Sequence, residues 1–181
     1  MQLKNSSQYI IRMTFAAIFI SLVVLTGISV SNADGDYIEL ESFDVGQCIE
    51  VSYTAPTTGR TTVNLFAADG TTVLHADYRK HWGGNPSTGQ PWHNILILNS
   101  KIGGSWGSGQ NVADIETTPG MQLDFEICAN EANFSIVLNH KQLTMYTYLA
   151  PVTTVSRVEF LNRGYDSILR EICVVYSKPS Q

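Results

Sequence analysis

From Tyr37 onward the chain is a succession of short runs in which apolar residues alternate with polar ones or stand in brief blocks. The clearest are Cys48 to Tyr53, Thr62 to Ala67, Ile95 to Asn99, Leu123 to Ala129, Phe134 to Asn139, Val155 to Leu161 and Ile168 to Tyr176. They are rich in Val, Ile, Phe and Tyr, which suit a pleated, half-buried surface, and they recur about every ten residues. Between them stand turn signals: Thr54-Ala55-Pro56-Thr57-Thr58-Gly59, Ala67-Ala68-Asp69-Gly70 and Thr117-Thr118-Pro119-Gly120. In these, Pro presets φ and Gly supplies positive φ. No later stretch sustains a helical period, and neither an internal repeat nor a domain linker interrupts the pattern. It predicts one all-β domain, a two-sheet antiparallel sandwich.

The first 33 residues follow a different rule. Lys4 and Arg12 precede an uncharged run, Met13 to Ala33, with an apolar centre at Phe15 to Ile28 and the small residues Ser31 and Ala33 at its end. That is the form of a signal peptide covering residues 1–33, leaving 34–181 as the mature, secreted domain. A signal anchor is the alternative, because the run nearly suffices to cross a bilayer. With the signal removed, no membrane insertion is expected.

The net charge is −5, and removal of Lys4 and Arg12 without any acid takes it to −7. So acidic a chain, with no Lys/Arg cluster in its sequence, argues against nucleic acid or an anionic membrane as partner. No phosphate-binding or dinucleotide motif is present, and no cofactor is expected. Asn133-Phe134-Ser135 is an N-glycosylation sequon, which applies only in an exported chain.

Cys48, Cys128 and Cys173 allow at most one internal bridge, and their spacing is not that of metal ligands. In the run around Cys48, Ile49 and Val51 share one strand face while Cys48 and Glu50 share the other. Cys128 likewise falls on the polar face of its run. Lys80 to Asn94, with Trp82, Trp92, His81, His93 and several Gly and Pro, is the longest irregular segment. Such a loop in a compact domain tends to serve function, although its tryptophans can equally fold it back onto the sandwich.

The chemistry concentrates in two places. His75, Asp77 and Arg79 stand at i, i+2 and i+4, on one face of a strand. Some twenty residues later comes Asn99-Ser100-Lys101-Ile102-Gly103-Gly104-Ser105-Trp106-Gly107. A tryptophan flanked by glycines presents an open face, and a sugar ring offers an apolar face to stack on it and hydroxyls that need fixed donors and acceptors.

The order and spacing of these residues resemble the galectin carbohydrate-recognition domain, over nearly all of the chain from about Asp34. The resemblance implies a galectin/concanavalin-like jelly roll and a non-catalytic lectin whose partners are glycans, β-galactosides among them. It further implies carbohydrate binding by His75, Asp77, Arg79, Asn99 and Trp106 on a concave sheet, and a possible edge-to-edge homodimer. Asp77 stands where the family has Asn. Gly109 and Asn111 stand where it has Glu and Arg, which removes two groups able to form charge-assisted hydrogen bonds. Asp114 and Glu116 are the nearest acids downstream, as replacements for that Glu or simply as solvated acids. Cys48 and Cys128 would lie on neighbouring strands of such a sheet and so could be linked; three unpaired thiols remain the alternative. His140 occupies a turn position where the family has Gly.

Two other functions compete. Gly109, Asn111, Asp77 and the 80–94 segment also fit a galectin-like interaction module that has lost sugar binding. An enzyme fits less well. A glycosidase needs two carboxylates about 5–10 Å apart across a bond, and the only dense acids on a strand, Asp124 and Glu126, stand next to no His and would fall on the convex face of the resembling fold. His75, His81, His93 and Asp77 as a metal site, or Cys173 as a nucleophile, lack partners at motif spacing.

Overall fold

A computed structural model describes residues 30–32, 35–83, 87–88, 93–112, 114–163 and 166–176. Its strands are β1 (Val30–Asn32), β2 (Gly35–Glu39), β3 (Gln47–Thr54), β4 (Gly59–Ala67), β5 (Thr72–Trp82), β6 (His93–Ile102) and β7 (Ser105–Trp106). They continue as β8 (Gln110–Val112), β9 (Gln122–Ala129), β10 (Asn133–Leu138), β11 (Lys141–Thr147), β12 (Val155–Asn162) and β13 (Leu169–Tyr176). A short 3-10 turn at Val152–Thr154 is the only helical element among the described residues.

These strands form two antiparallel sheets. The larger runs β1-β2-β12-β4-β5-β6-β7, with β8 also paired to β6; the smaller runs β11-β10-β9-β3-β13. Alternation along each strand decides what lies between them. Ile49 and Val51 of β3, Phe125 and Ile127 of β9, and Phe134 and Ile136 of β10 face inward from the smaller sheet. They meet Val63 and Leu65 of β4, Leu74 of β5, Leu98 of β6 and Phe160 of β12. Each such side chain contributes about 1.5–3 kcal/mol by leaving water. The predicted all-β sandwich is therefore the fold, a two-sheet jelly roll.

The cysteine question resolves within the smaller sheet. Cys48 and Cys128 are directly opposite in register and form a disulfide with their Cα atoms 4.0 Å apart. Cys173 remains a buried free thiol on β13, opposite Glu50. Burial, then the neighbouring Glu171 and Glu50 carboxylates, push its pKa up to about 11, so it is poorly suited to nucleophilic work.

The 80–94 segment is shorter as a loop than its composition predicts. β5 continues to Trp82 and β6 begins at His93, the two residues pairing after a register shift beyond Arg79. The side chains of Trp82 and Trp92 lie outside the described residues, as does most of the 1–33 segment.

Candidate functional site

The outer face of the larger sheet carries three rows of polar side chains, set by register. Glu159, Asn64, His75 and Asn99 form the first, across β12, β4, β5 and β6. Leu161, Thr62, Asp77, Ile97 and Asn111 form the second, across β12, β4, β5, β6 and β8. Arg60, Arg79 and Ile95 form the third, and the Arg163 N–H donates to the Arg60 carbonyl at its edge. The intervening residues Val63, Ala76, Tyr78, Leu96 and Leu98 turn into the core.

Trp106 closes one end of these rows. Gly103 and Gly104, at φ 57° and 82°, form the two-residue turn between β6 and β7. Positive φ at both central residues is the hairpin geometry that matches strand twist, and glycine adopts it without a Cβ clash. The turn sets Trp106 opposite Lys101, two residues beyond Asn99 on the same face. The indole is 52 % exposed, with its ring centroid 5.0 Å from that of His75. Lys101 Nζ lies 5.8 Å from the indole centroid.

A relay fixes His75. The Asn64 amide nitrogen donates to Glu159 Oε2 at 3.1 Å, so its Oδ1 faces His75 Nδ1, 2.7 Å away. A carboxylate only accepts, and an amide oxygen only accepts; the proton therefore sits on Nδ1, and Nε2, 3.9 Å from Asp77 Oδ2, carries the lone pair. Burial lowers the imidazole pKa below its ordinary value; Asp77 raises it, and Arg60, Arg79 and Arg163 lower it further. The lowered pKa favours the neutral ring, whose Nε2 is an acceptor. Asn99 uses its Oδ1 on the Ser100 N–H at 2.8 Å, and its Nδ2 points toward Gly109.

Asp77 is placed differently from its neighbours. Its carboxylate is fully buried on the groove side, under Arg60, Arg79 and His75. Oδ2 accepts from Arg79 Nε at 2.8 Å; Oδ1 accepts from the Thr62 hydroxyl at 3.3 Å and stands 3.5 Å from Arg60 Nε. Neither oxygen reaches the surface. His75, Arg79, Asn99 and Trp106 are thus brought together at the groove, with Asp77 beneath them.

Sequence reasoning missed Arg60, Thr62, Asn64 and Glu159. Arg60, Thr62 and Asn64 alternate with the buried Val63 and Leu65, and the Ala67 to Gly70 turn fixes their pairing with β5. The signal was therefore present, in a strand read only for its apolar face. Asn111 does share the groove face, opposite Ile97. A Cβ on Gly109 would meet only ordinary contacts, the nearest being Asn99 Nδ2 at 3.6 Å, so space does not exclude a side chain there. Asp114 instead accepts from His93 at 2.7 Å, and Glu116 lines a separate cavity with His93 and Asn94.

A two-sheet jelly roll with a half-exposed tryptophan beside a histidine, an arginine and an asparagine defines a carbohydrate-recognition domain. Residues 37–164 match the family described as Galactoside-binding lectin, and the chain belongs to that family. It is 62 % identical over 146 residues to galectin b of Aplysina lactuca, covering 81 % of this chain and 100 % of that protein. It is 45 % identical over 124 residues to a galactose-binding lectin of Chondrilla caribensis, covering 68 % of this chain and 87 % of that one. Among solved structures, a toad ovary galectin in complex with thio-digalactose superposes with a TM-score of 0.64 at 17 % identity, over 79 % of this chain and 99 % of that chain. A tetrameric galectin from the ball sponge Cinachyrella gives 0.62 at 22 % identity, over 77 % and 98 %. The chain is a lectin, not an enzyme.

Proposed function

We propose that this protein is a secreted galectin that binds β-galactosides in the groove between Trp106 and Arg79. The observation that carries this reading is the half-exposed Trp106 indole, 5.0 Å from a His75 ring whose Nε2 is held as an acceptor. The indole stacks against the apolar face of the sugar, His75 Nε2 accepts from a hydroxyl, and Arg79 and Asn99 Nδ2 donate. Asp77 acts without touching the sugar, by holding the arginines. Binding is weak per site, since desolvating the hydroxyls offsets most of each new hydrogen bond. Avidity then requires clustered glycans or self-association, and the relatives include a tetrameric galectin.

Secretion draws support from the Cys48–Cys128 bridge, because such bonds persist in oxidising compartments. In the same compartment the Asn133 sequon becomes available for glycosylation.

The test is calorimetric titration of the secreted chain with N-acetyllactosamine, alongside Trp106→Ala. The variant should lose at least about tenfold in affinity, or about 1.4 kcal/mol, and keep its thermal midpoint. Acidification should weaken binding as His75 gains a proton and loses its acceptor, with no change above pH 7. A folded, multivalent wild-type protein that binds no galactoside would instead support the interaction-module reading.

A further inference from the structure

The outer face of the smaller sheet carries a feature that galactoside binding does not use. Asn133-Phe134-Ser135, the N-glycosylation sequon, opens β10. Alternation sends Phe134 into the core, where it is fully buried and meets the Tyr148 ring edge-on at 4.5 Å. Asn133 and Ser135 are only partly buried and stand on the outer face. The acceptor amide and the hydroxyl of the sequon therefore point the same way, out of the sandwich. The Asn133 amide is also oriented. In the turn from β9 to β10, the Asn130 N–H donates to the Asn133 carbonyl at 2.9 Å. The Asn130 side-chain amide donates to Asn133 Oδ1 at 2.9 Å, and the Tyr148 hydroxyl donates to the Asn130 carbonyl at 2.7 Å. With Oδ1 engaged in the turn, Nδ2 points away from it. Nδ2 donates to no described residue and is not one of the buried atoms left without a partner, so it faces water.

Beside β10 lies β11, where the smaller sheet ends. An edge strand offers unpaired N–H and C=O groups to a second chain, and proteins guard such edges with charge, bulges or cover. The first half of β11 has two of these guards: Lys141, and a register shift between Ile136 and Val137 that passes over Leu143. The second half, residues 144–147, pairs regularly with β10 and carries no charge. Its Met145 is 50 % exposed and stands opposite Ser135, while Thr147 stands opposite Asn133. The unguarded half of the edge is thus the half beside the sequon.

We propose that Asn133 carries an N-linked glycan and that this glycan covers Met145 and the edge at residues 144–147, keeping it from pairing with a second copy. In the transfer, Asn133 Nδ2 bonds to C1 of an oligosaccharide carried on a lipid diphosphate. The C1–O bond to the diphosphate breaks, and the lipid diphosphate leaves with one amide proton. The inference rests on the secreted reading of the chain, since the sequon is used only in the secretory pathway. A first sugar on Nδ2 has Met145 within reach, diagonally across the ladder. The Trp106 groove belongs to the other sheet, so cover here leaves it open.

The experiment expresses the full chain in a eukaryotic host as wild type, Asn133→Gln, Ser135→Ala and Asn133→Gln/Met145→Lys. Peptide mapping with and without peptide N-glycosidase should find a glycan on Asn133 of wild type and none on the variants. The two sequon variants, one of which keeps Asn133, should self-associate at about tenfold or more lower concentration than wild type in sedimentation velocity. Met145→Lys in the Asn133→Gln chain should reverse that shift by charging the edge. Affinity for N-acetyllactosamine should stay within about twofold of wild type throughout. A loss of that affinity shared by both sequon variants would place the glycan's effect at the groove and overturn the inference. An exported chain with Asn133 bare overturns it too, and leaves the secreted reading standing. Sequon variants that associate no more readily than wild type, or association that Met145→Lys does not reverse, overturn the shielding. A chain found only in the cytosol overturns the secreted reading, and this inference with it.

Discussion

The two outer faces of the sandwich treat carboxylates in opposite ways. On the larger sheet, Asp77 is fully buried, yet guanidinium groups flank it at 2.8 and 3.5 Å. On the smaller sheet, Glu50 lies opposite Glu126 in the ladder, and Ser52 opposite both Asp124 and Glu171. Burial raises the pKa of Glu50, and Glu126, Glu171 and Asp124 raise it further. The salt bridge described at this cluster is that of the exposed His140 to Glu126, at 3.6 Å. One face orders its charges into an arrangement; the other keeps like charges half in water, where their repulsion is tolerable. On the proposed function the difference separates a recognition surface from a scaffold, and the scaffold face carries the covalent bond.

The largest effect should come from cutting that bond. Replacing Cys48 and Cys128 together by Ala frees a loop whose ends are 80 residues apart in sequence. Chain-entropy arguments put the loss at about 4.5 kcal/mol at most. Chemical denaturation should show it as a lowered midpoint. Galactoside affinity of the protein still folded should hold within about twofold of wild type, roughly 0.4 kcal/mol, if the faces are separate. A matching loss of affinity would show the scaffold to be part of the site.

Next in size is Asp77→Ala. Removing the carboxylate leaves Arg60 and Arg79 facing each other across β4 and β5 without a counter-charge. A broken buried pair costs about 3–5 kcal/mol; with these arginines partly in water, about 2–3 kcal/mol is expected. Unlike the cysteine change, this one should lower galactoside affinity as well as the denaturation midpoint, because Arg79 loses its anchor. Asp77→Asn, which keeps the shape of the side chain and an accepting oxygen, should recover more of the stability than of the galactoside affinity. Unaltered affinity in Asp77→Ala would show that Arg79 is held by other contacts.

What the sequence showed and what it hid follow the same division. Strands with one dry face, such as β3, β9 and β10, were legible because burial enforces period two. β11 was not, since Tyr146 is its only fully buried residue and its alternation is correspondingly faint. Trp106, Asn99, His75 and Arg79 could be grouped from the sequence because they stand in the order of the galectin domain, and the structure places them on one face. Asp77 was grouped with them, but its depth was not legible: whether a strand carboxylate is exposed or lies beneath arginines depends on the neighbouring strand. Arg60 and Asn64 belong to that neighbour. The Cys48–Cys128 pairing likewise needed the β3–β9 register, which cysteine spacing alone does not fix.

The smallest effect is expected where like charges meet. Glu50→Gln removes one member of the acidic cluster while keeping the shape of the side chain. Like charges opposite each other in a sheet cost roughly 0.2–1 kcal/mol, and Glu50 is partly solvated, so the gain at pH 7 should sit at the low end. Its pH dependence is more diagnostic than its size. A folded-state pKa raised above the ordinary 4.5 means that the folded protein binds more protons than the unfolded chain between those two values. The penalty is therefore complete above the raised pKa and fades as pH falls toward 4.5. Thermal midpoints of wild type and Glu50→Gln should differ at pH 7 and converge in acid. Asp124, whose pKa is lowered by hydrogen bonds from Gln122 and Ser52, works in the reverse sense. Its contribution is present above the ordinary 3.8 and is lost as pH falls through its lowered value. Convergence before general acid unfolding would identify Glu50 as the strained member of the scaffold face. A constant difference at every pH would place the effect in packing, and the contrast with Asp77 would then be one of burial alone.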